Sequence, residues 1–552
     1  MCGIWAIFGS DKDVSVQCKS CLAIAHRGPD SFRIENVNHF PNCCFGFHRL
    51  AIVDDMLGMQ PMRIHSLPHL WLCYNGEIYN FKTVEKQFDF KYETQCDGEA
   101  ILHLYEHGGA KFMAQNLDGV FAFMLLDTKN QKVFVGRDTY GIRPAFRMIT
   151  KDGFLAVCSE AKGLMDIVHE CPYAKVEPFP PGHVESYDLA DNGKVSLTSS
   201  ERFHSIGHPP KYLTPAPPTE GKDVYENIRN LFETAVRKRM IGQRRIGCLL
   251  SGGLDSSLVA ALVCKYVKEE ERGYPVQTFS IGLEGSPDIV AARKVAQHIG
   301  SEHHEFTFKT EDFLNAVRPT IQALETYDIT TIRASVPMYL LSQRISKETD
   351  SIVIFSGEGA DELAQGYIYF HKAPSPAEAD EESRRLLNDL YFFDVLRTDR
   401  TTAAHGLEVR VPFLDHQFDA YFLSIDPKLR QPANGVEKSL VRKAFENTGL
   451  LPNEILWRPK EAFSDGVSST EKSWFKILQE DVETKVTDDD LAAASKVFVH
   501  NPPKTKEAYF YRTIFEEFYP SQGEWLPYYW MPKWIDGASD PSARTLGHYK
   551  TA

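Results

Sequence analysis

No apolar run in this 552-residue chain approaches the ~20 residues that a membrane-spanning helix needs. The start has no basic stretch leading into an apolar segment and a small-residue cleavage site, so it does not read as a secretory signal. Cysteine is present without a framework: 11 residues, an odd number, at scattered spacings. That excludes a disulfide-stapled scaffold and leads us to expect a reducing, cytosolic setting. An excess of positive charge is missing as well. The net charge of −14 argues against a general nucleic-acid binder, although an anionic substrate needs only a few local cations. Repeats and low-complexity tracts are absent. What remains is an ordinary soluble composition, 43% hydrophobic and 25% charged, in a chain long enough for more than one domain.

Two regions flank a proline-rich stretch, "GHPPKYLTPAPPTEGKD", which favours extended chain over helix or sheet. Before it, "GIWAIFG", "HLWLCYNGEIYN", "GVFAFMLLD", "KVFVGRD" and "GFLAVCSE" read as strands, with helices near Val16–Ala25 and Gly98–Glu106. This pattern predicts packed antiparallel sheets flanked by helices, an α+β arrangement. After the stretch, "RRIGCLL", "VQTFSIGL" and "SIVIFSGEG" alternate with longer amphipathic helical segments, which predicts an α/β unit on a parallel sheet. Beyond about Asp380 the pattern is mainly helical, ending in an aromatic tail.

"LLSGGLDSS", from Leu249 to Ser257, places two glycines between an apolar strand and a helix. Glycine lets the backbone approach a ligand closely, and the helix start offers free N–H groups to an anion. Ser251, Ser256 and Ser257 add hydroxyls. The Gly-Lys-Ser/Thr ending of a Walker loop is missing, so no lysine reaches a γ-phosphate from here. "FSGEGADE" repeats the pattern after a second strand. Asp255 and Asp361 are candidates to hold Mg²⁺ with phosphate oxygens, or simply to cap their helices. An ordinary strand–turn–helix with Ser/Asp caps stays open for the loop itself.

The chain opens "MCGIWAIFGS". A cysteine beside a chain end is a liability unless it is tied down or does chemistry. Taken alone, Cys2 reads as an incidental small hydrophobe.

With "SGEGADE", "ETYDITTIRAS", "LEVRVPFLD" and "RPKEAFSDG", the glycine loop resembles the ATP-pyrophosphatase family, and within it the glutamine-dependent asparagine synthetases. The first half, with "HRLAIVD", "YNGEIYN" and "CDGE" in order, resembles the class II glutamine amidotransferases. The resemblance implies an N-terminal αββα sandwich of the N-terminal-nucleophile type over 2–190, a linker over 191–220, and an ATP-pyrophosphatase-like synthetase domain over 221–535. The last stretch, 536–552, is expected to be mobile. It also implies that Met1 is removed and that the Cys2 thiol opens the amide of glutamine, with the freed α-amine as base.

In the family, Arg49 holds the glutamine α-carboxylate and the backbone of Leu50, Ala51, Ile52 and Val53 lines the same site. Asn75 and Gly76 supply the oxyanion hole, and Glu77 and Asp97 face the ammonium. His26–Asp30 reads as structural, with Arg27 shaping the wall. ATP would be contacted by Leu249, Ser251, Gly252, Gly253, Asp255, Ser256, Ile281, Ser356 and Gly357, with Mg²⁺ on Asp255 and Asp361. Lys460 would neutralise the phosphates, and Glu358 would serve formation of a β-aspartyl adenylate.

The implied partners are small molecules, L-glutamine, L-aspartate and ATP, with no nucleic acid and no membrane; a homodimer is open. The implied reaction gives asparagine, AMP, pyrophosphate and glutamate. Two alternatives stay open: a related amidotransferase or adenylating synthetase with another acceptor, such as a β-lactam-forming relative, and a catalytically silent sensor of ATP and glutamine.

Overall fold

The structure, a computed structural model, describes residues 1–10, 14–54, 56–170, 174–212, 223–460, 463–468, 473–535 and 540–542. The chain forms two compact units, one of Met1–Pro215 with Ile241–Arg244 and Ala403–Leu407, and one of the remainder.

The first unit holds eleven strands: β1 (Gly3–Phe8), β2 (Ser31–Val37), β3 (Phe40–Arg49), β4 (Leu70–Ile78), β5 (Gly119–Asp127), β6 (Lys132–Arg137), β7 (Phe146–Ile149), β8 (Leu155–Cys158), β9 (Val176–Pro178), β10 (His183–Leu189) and β11 (Val195–Arg202). They form two sheets, β2-β3-β1-β8-β7-β9 and β11-β10-β6-β5-β4, antiparallel throughout. Strand periodicity sorts the side chains. Ile4, Ala6 and Phe8 of β1 and Phe45 and Phe47 of β3 meet Trp71, Cys73, Ala122, Met124 and Leu126 of the second sheet. The alternate residues of β4 and β5, among them Leu72, Tyr74, Phe121 and Phe123, face the helices Phe81–Phe88 and Glu99–Asn116. Across the first sheet, Cys21 of the helix Val14–Leu22 sits so close to Gly46 that a Cβ there would lie 2.3 Å from its sulfur. The expected helix–sheet–sheet–helix layering is what forms.

The stretch expected as a linker over 191–220 begins otherwise. Residues 195–202 are β11, paired to β10 along the sheet edge, so the linker reading is corrected there. Its hydroxyl and charged residues alternate outward, and a half-exposed edge tolerates them. Residues 213–222 lie outside the described residues. So does most of 536–552, where the described Asp540 is ion-paired to Arg333 at 2.8 Å.

The second unit is built on a five-stranded parallel sheet of β12 (Arg245–Leu249), β13 (Gln277–Leu283), β14 (Glu302–Phe308), β15 (Ser351–Phe355) and β16 (Glu408–Arg410), in the order β14-β13-β12-β15-β16. All of β13 is buried, as a strand covered on both faces must be. The chain builds outward from β12 to β14, then crosses to β15 on the other side. That reversal opens a crevice at the carboxyl ends of β12 and β15. No helix among the described residues is long and apolar enough to cross a membrane.

Candidate active sites

In the first unit, β1 pairs with β3 so that Gly3 faces His48, which brings Cys2 beside the end of β3. The Cys2 sulfur accepts from the Leu50 N–H at 3.4 Å and lies 3.6 Å from the Leu50 carbonyl. Arg27 is fully buried; its Nε donates to the Cys2 carbonyl at 3.0 Å while the other end of the guanidinium pairs with Glu160. The residue expected to shape the wall therefore holds the backbone of Cys2.

Strand β4 passes close by. Burial pushes the Cys73 thiol far up, and the neighbouring Cys2 thiol adds to the push. Two residues on, Asn75 is 1% exposed, and neither its amide nitrogen nor its oxygen has a hydrogen-bond partner among the described residues. Leaving a desolvated amide unpaired costs ~1–3 kcal/mol, a cost the fold carries at Asn75. Gly76 has φ 150°, and a Cβ there would lie 1.9 Å from the Val120 carbonyl; no side chain fits. Asp97 is buried and accepts from the Tyr74 hydroxyl at 2.8 Å and the Ile78 N–H at 2.6 Å. Burial raises the Tyr74 hydroxyl's pKa and the Asp97 charge reinforces it, so Tyr74 stays a donor. Glu77, Leu50 and Ile52 are buried, Ala51 and Val53 half-buried, and the Arg49 guanidinium donates to the Asp54 carbonyl.

In the second unit, one cavity at the ends of β12 and β15 is lined by Leu249, Ser251, Gly253, Asp255, Ser256, Ile281, Ser356, Gly357, Glu358, Asp361 and Lys460. Gly252 stands behind this lining. Its φ of 73° and the 2.5 Å from its would-be Cβ to Ala291 require glycine to turn the loop. Ser251 and Ser256 bond hydroxyl to hydroxyl at 3.0 Å, and the Gly253 N–H donates to Ser251 at 3.3 Å. Asp255 and Asp361 lie in the first turns of their helices, but the caps are Gly253 and Gly359, so capping is not what either aspartate does.

Charge in the cavity is paired closely. Lys438 Nζ lies 2.5 Å from Asp255 and 2.6 Å from Asp361, and Lys460 Nζ lies 2.5 Å from the other Asp361 oxygen. Burial opposes ionisation of Asp361, but the two ammonium groups outweigh it and hold the carboxyl far below the usual range. Glu358 goes the other way. Burial raises it, with the Asp394 charge adding, against the pull of Arg397 at 2.7 Å. Arg397 is shared with Asp394 at 2.6 Å, and Asp394 accepts from Tyr367, against whose ring Trp530 packs at 5.4 Å.

Lys438, Arg397, Asp394 and Trp530 line the cavity without belonging to any motif read from the sequence. Lys438 has left-handed backbone, φ 56°, a strain that accompanies functional positions. No sequence signal marks that φ. The helix Asp394–Ala403 is polar in sequence as a solvated helix would be, yet its Arg397, Asp399 and Arg400 are each buried.

The first unit thus sets Cys2 beside the end of β3, and the second sets two glycine loops at the carboxyl ends of a parallel sheet. Residues 1–179 match the glutamine amidotransferase domain, and 227–382 and 372–535 match asparagine synthase. The chain belongs to the asparagine synthase family. It is 62% identical over 561 residues to the asparagine synthetase [glutamine-hydrolyzing] of Gallus gallus, covering 100% of both chains. To the proteins of that same name from Mus musculus and Homo sapiens it is 62% and 61% identical over 559 residues, again covering 100% of both.

Proposed function

We propose that this chain makes L-asparagine from L-aspartate, using ammonia released from L-glutamine and energy from ATP. The observation that carries the reading is the meeting of the two glycine loops in one cavity, with Glu358, Asp361 and Lys460 lining it.

In the first unit, the thiol of Cys2 attacks the carboxamide carbon of glutamine. With Met1 removed, the Cys2 α-amine takes the thiol proton and returns it to the departing ammonia. The Asn75 amide and the Gly76 N–H hold the developing oxyanion, and the unpartnered Asn75 supports that assignment. Arg49 takes the α-carboxylate, Glu77 and Asp97 the ammonium, and the backbone from Leu50 to Val53 lines the site. Water then releases glutamate from the thioester.

In the second unit, the β-carboxylate of aspartate attacks the α-phosphorus of ATP and pyrophosphate leaves. Lys460 faces the charge that gathers on the leaving group. Leu249, Ile281, Ser356 and Gly357 contact the nucleotide, and the loop from Ser251 to Ser256 cradles its phosphates. Ammonia attacks the adenylate carbonyl, AMP departs, and Glu358, whose affinity for protons is raised by burial, accepts the proton.

Asp255 and Asp361 fit Mg²⁺: Asp255 Oδ1 is buried without a hydrogen-bond partner, and two carboxylates plus phosphate oxygens suit this ion. Bound there, Mg²⁺ would offset phosphate charge. The described cysteines are free thiols, which supports a cytosolic location.

Product analysis tests it. Aspartate, glutamine and ATP should give asparagine with AMP and pyrophosphate. Release of pyrophosphate with another amino acid and none with aspartate would reject the acceptor.

A further inference from the structure

Asp54 follows the glutamine-binding stretch and has no part in the chemistry above. It is 7% exposed and adopts left-handed backbone, φ 57°, so its surroundings must hold it there. Its three acceptor oxygens go to three places. Oδ1 receives the N–H groups of Met56 at 3.1 Å and Leu57 at 2.9 Å, closing its own loop. Oδ2 receives the N–H of Gln95 at 2.9 Å, on a separate segment. Its carbonyl receives the Arg49 guanidinium. The same loop wraps the guanidinium further on, where a Cβ at Gly58 would lie 2.7 Å from Arg49.

The Gln95 segment is tied down on both sides. Glu99 accepts from the N–H groups of Glu93 at 2.6 Å and Thr94 at 2.7 Å, and two residues beyond Gln95 stands Asp97, fixed by Tyr74 and Ile78. One carboxylate therefore joins the segment that aims Arg49 to the segment that carries Asp97. Burial opposes ionisation of Asp54, yet the N–H groups of Leu57, Gln95 and Met56, with the Arg49 charge, hold its carboxyl below the usual range. It stays an acceptor on both oxygens.

We propose that Asp54 is a positioning residue that sets the separation of Arg49 and Asp97, and thereby selects substrates carrying both an α-carboxylate and an α-ammonium. The inference rests on the glutamine reading of Cys2, Arg49 and Asp97. Asp54 acts through the other two and touches no substrate.

The test uses the full chain with Asp54→Asn and Asp54→Ala. An amide has one acceptor oxygen, so Asp54→Asn cannot serve both Gln95 and the Met56–Leu57 turn. Glutaminase KM for glutamine should rise roughly tenfold or more, the usual scale for losing a hydrogen bond to a charged group, while kcat changes less than about threefold. Preference for glutamine over 4-carbamoylbutanoate, which lacks the amine, should fall by a similar factor. Asparagine formation from added ammonium salts should stay native. An unchanged KM and preference would overturn the proposal; so would a loss of kcat at every glutamine concentration. If the native protein itself hydrolyses no glutamine, the underlying reading fails. If it does and the variants match it, only the role of Asp54 fails.

Discussion

Gly357 rests against Asp255: a methyl group added to Gly357 would lie 2.9 Å from both the carbonyl carbon and the Cβ of Asp255. The two glycine loops thus meet with no room for a side chain. Gly357→Ala must push the β15 loop away from the start of the helix Leu254–Glu269. Pyrophosphate release should fall roughly tenfold or more, as misplacement of reacting groups by a fraction of an ångström does, and glutaminase activity should be untouched. Steady-state assays of both half-reactions check this.

Cys2→Ala separates the halves from the other side. Glutamine-dependent synthesis should drop on the order of a thousandfold or more, the scale of losing a nucleophile, while synthesis from ammonium salts persists. Equal loss of both activities in paired assays would make the thiol structural.

Lys438 holds Asp255 and Asp361 together. Asp361 is ionised far below the usual carboxylate pH range, because Lys438 and Lys460 overcome its burial. A depressed carboxyl contributes stability that is present above its unfolded value and is lost only as pH falls through the lower folded value. In Lys438→Met one of the two cations is gone, so the acid limb of pyrophosphate release should move to higher pH, with activity at neutral pH reduced roughly tenfold or more. A pH–rate profile reads both.

Asp328 gives the opposite sign. Burial pushes its carboxyl from 3.8 up to about 6, against hydrogen bonds from Thr331 and Trp530. The native state thus binds this proton more tightly than the unfolded chain. The stability it contributes is complete below pH 3.8 and is lost as pH rises through about 6. Asp328→Asn carries no charge, so its melting temperature relative to the native protein should climb between pH 4 and pH 7, by a few degrees. Thermal scans at both pH values test this; a constant difference would contradict it.

The residues legible in the sequence are those whose reason is local. Gly252 is demanded by backbone geometry, and the near-continuous apolar runs of β4 and β5 announce a sheet packed on both faces. β14, "EHHEFTF", was not legible, because at a sheet edge its polar residues need no partner face. β3 hid behind Pro41 and two cysteines, and the short helix Phe81–Phe88 behind its length. Lys438, Arg397 and Trp530 lie far along the chain from the glycine loops and reach the cavity only through tertiary folding. The "DVLRTDRTTA" helix reads as a solvated face yet is buried, since its charges are satisfied by Glu358, Asp394 and Glu325.

The most direct measurement follows oxygen. Aspartate labelled with ¹⁸O in its β-carboxylate should yield AMP carrying one ¹⁸O, since the carboxylate oxygen that attacks the α-phosphorus stays with AMP when ammonia displaces it. Unlabelled AMP, or label found in inorganic phosphate beside ADP, would contradict activation through an adenylate in the cavity of Asp255, Glu358 and Lys460.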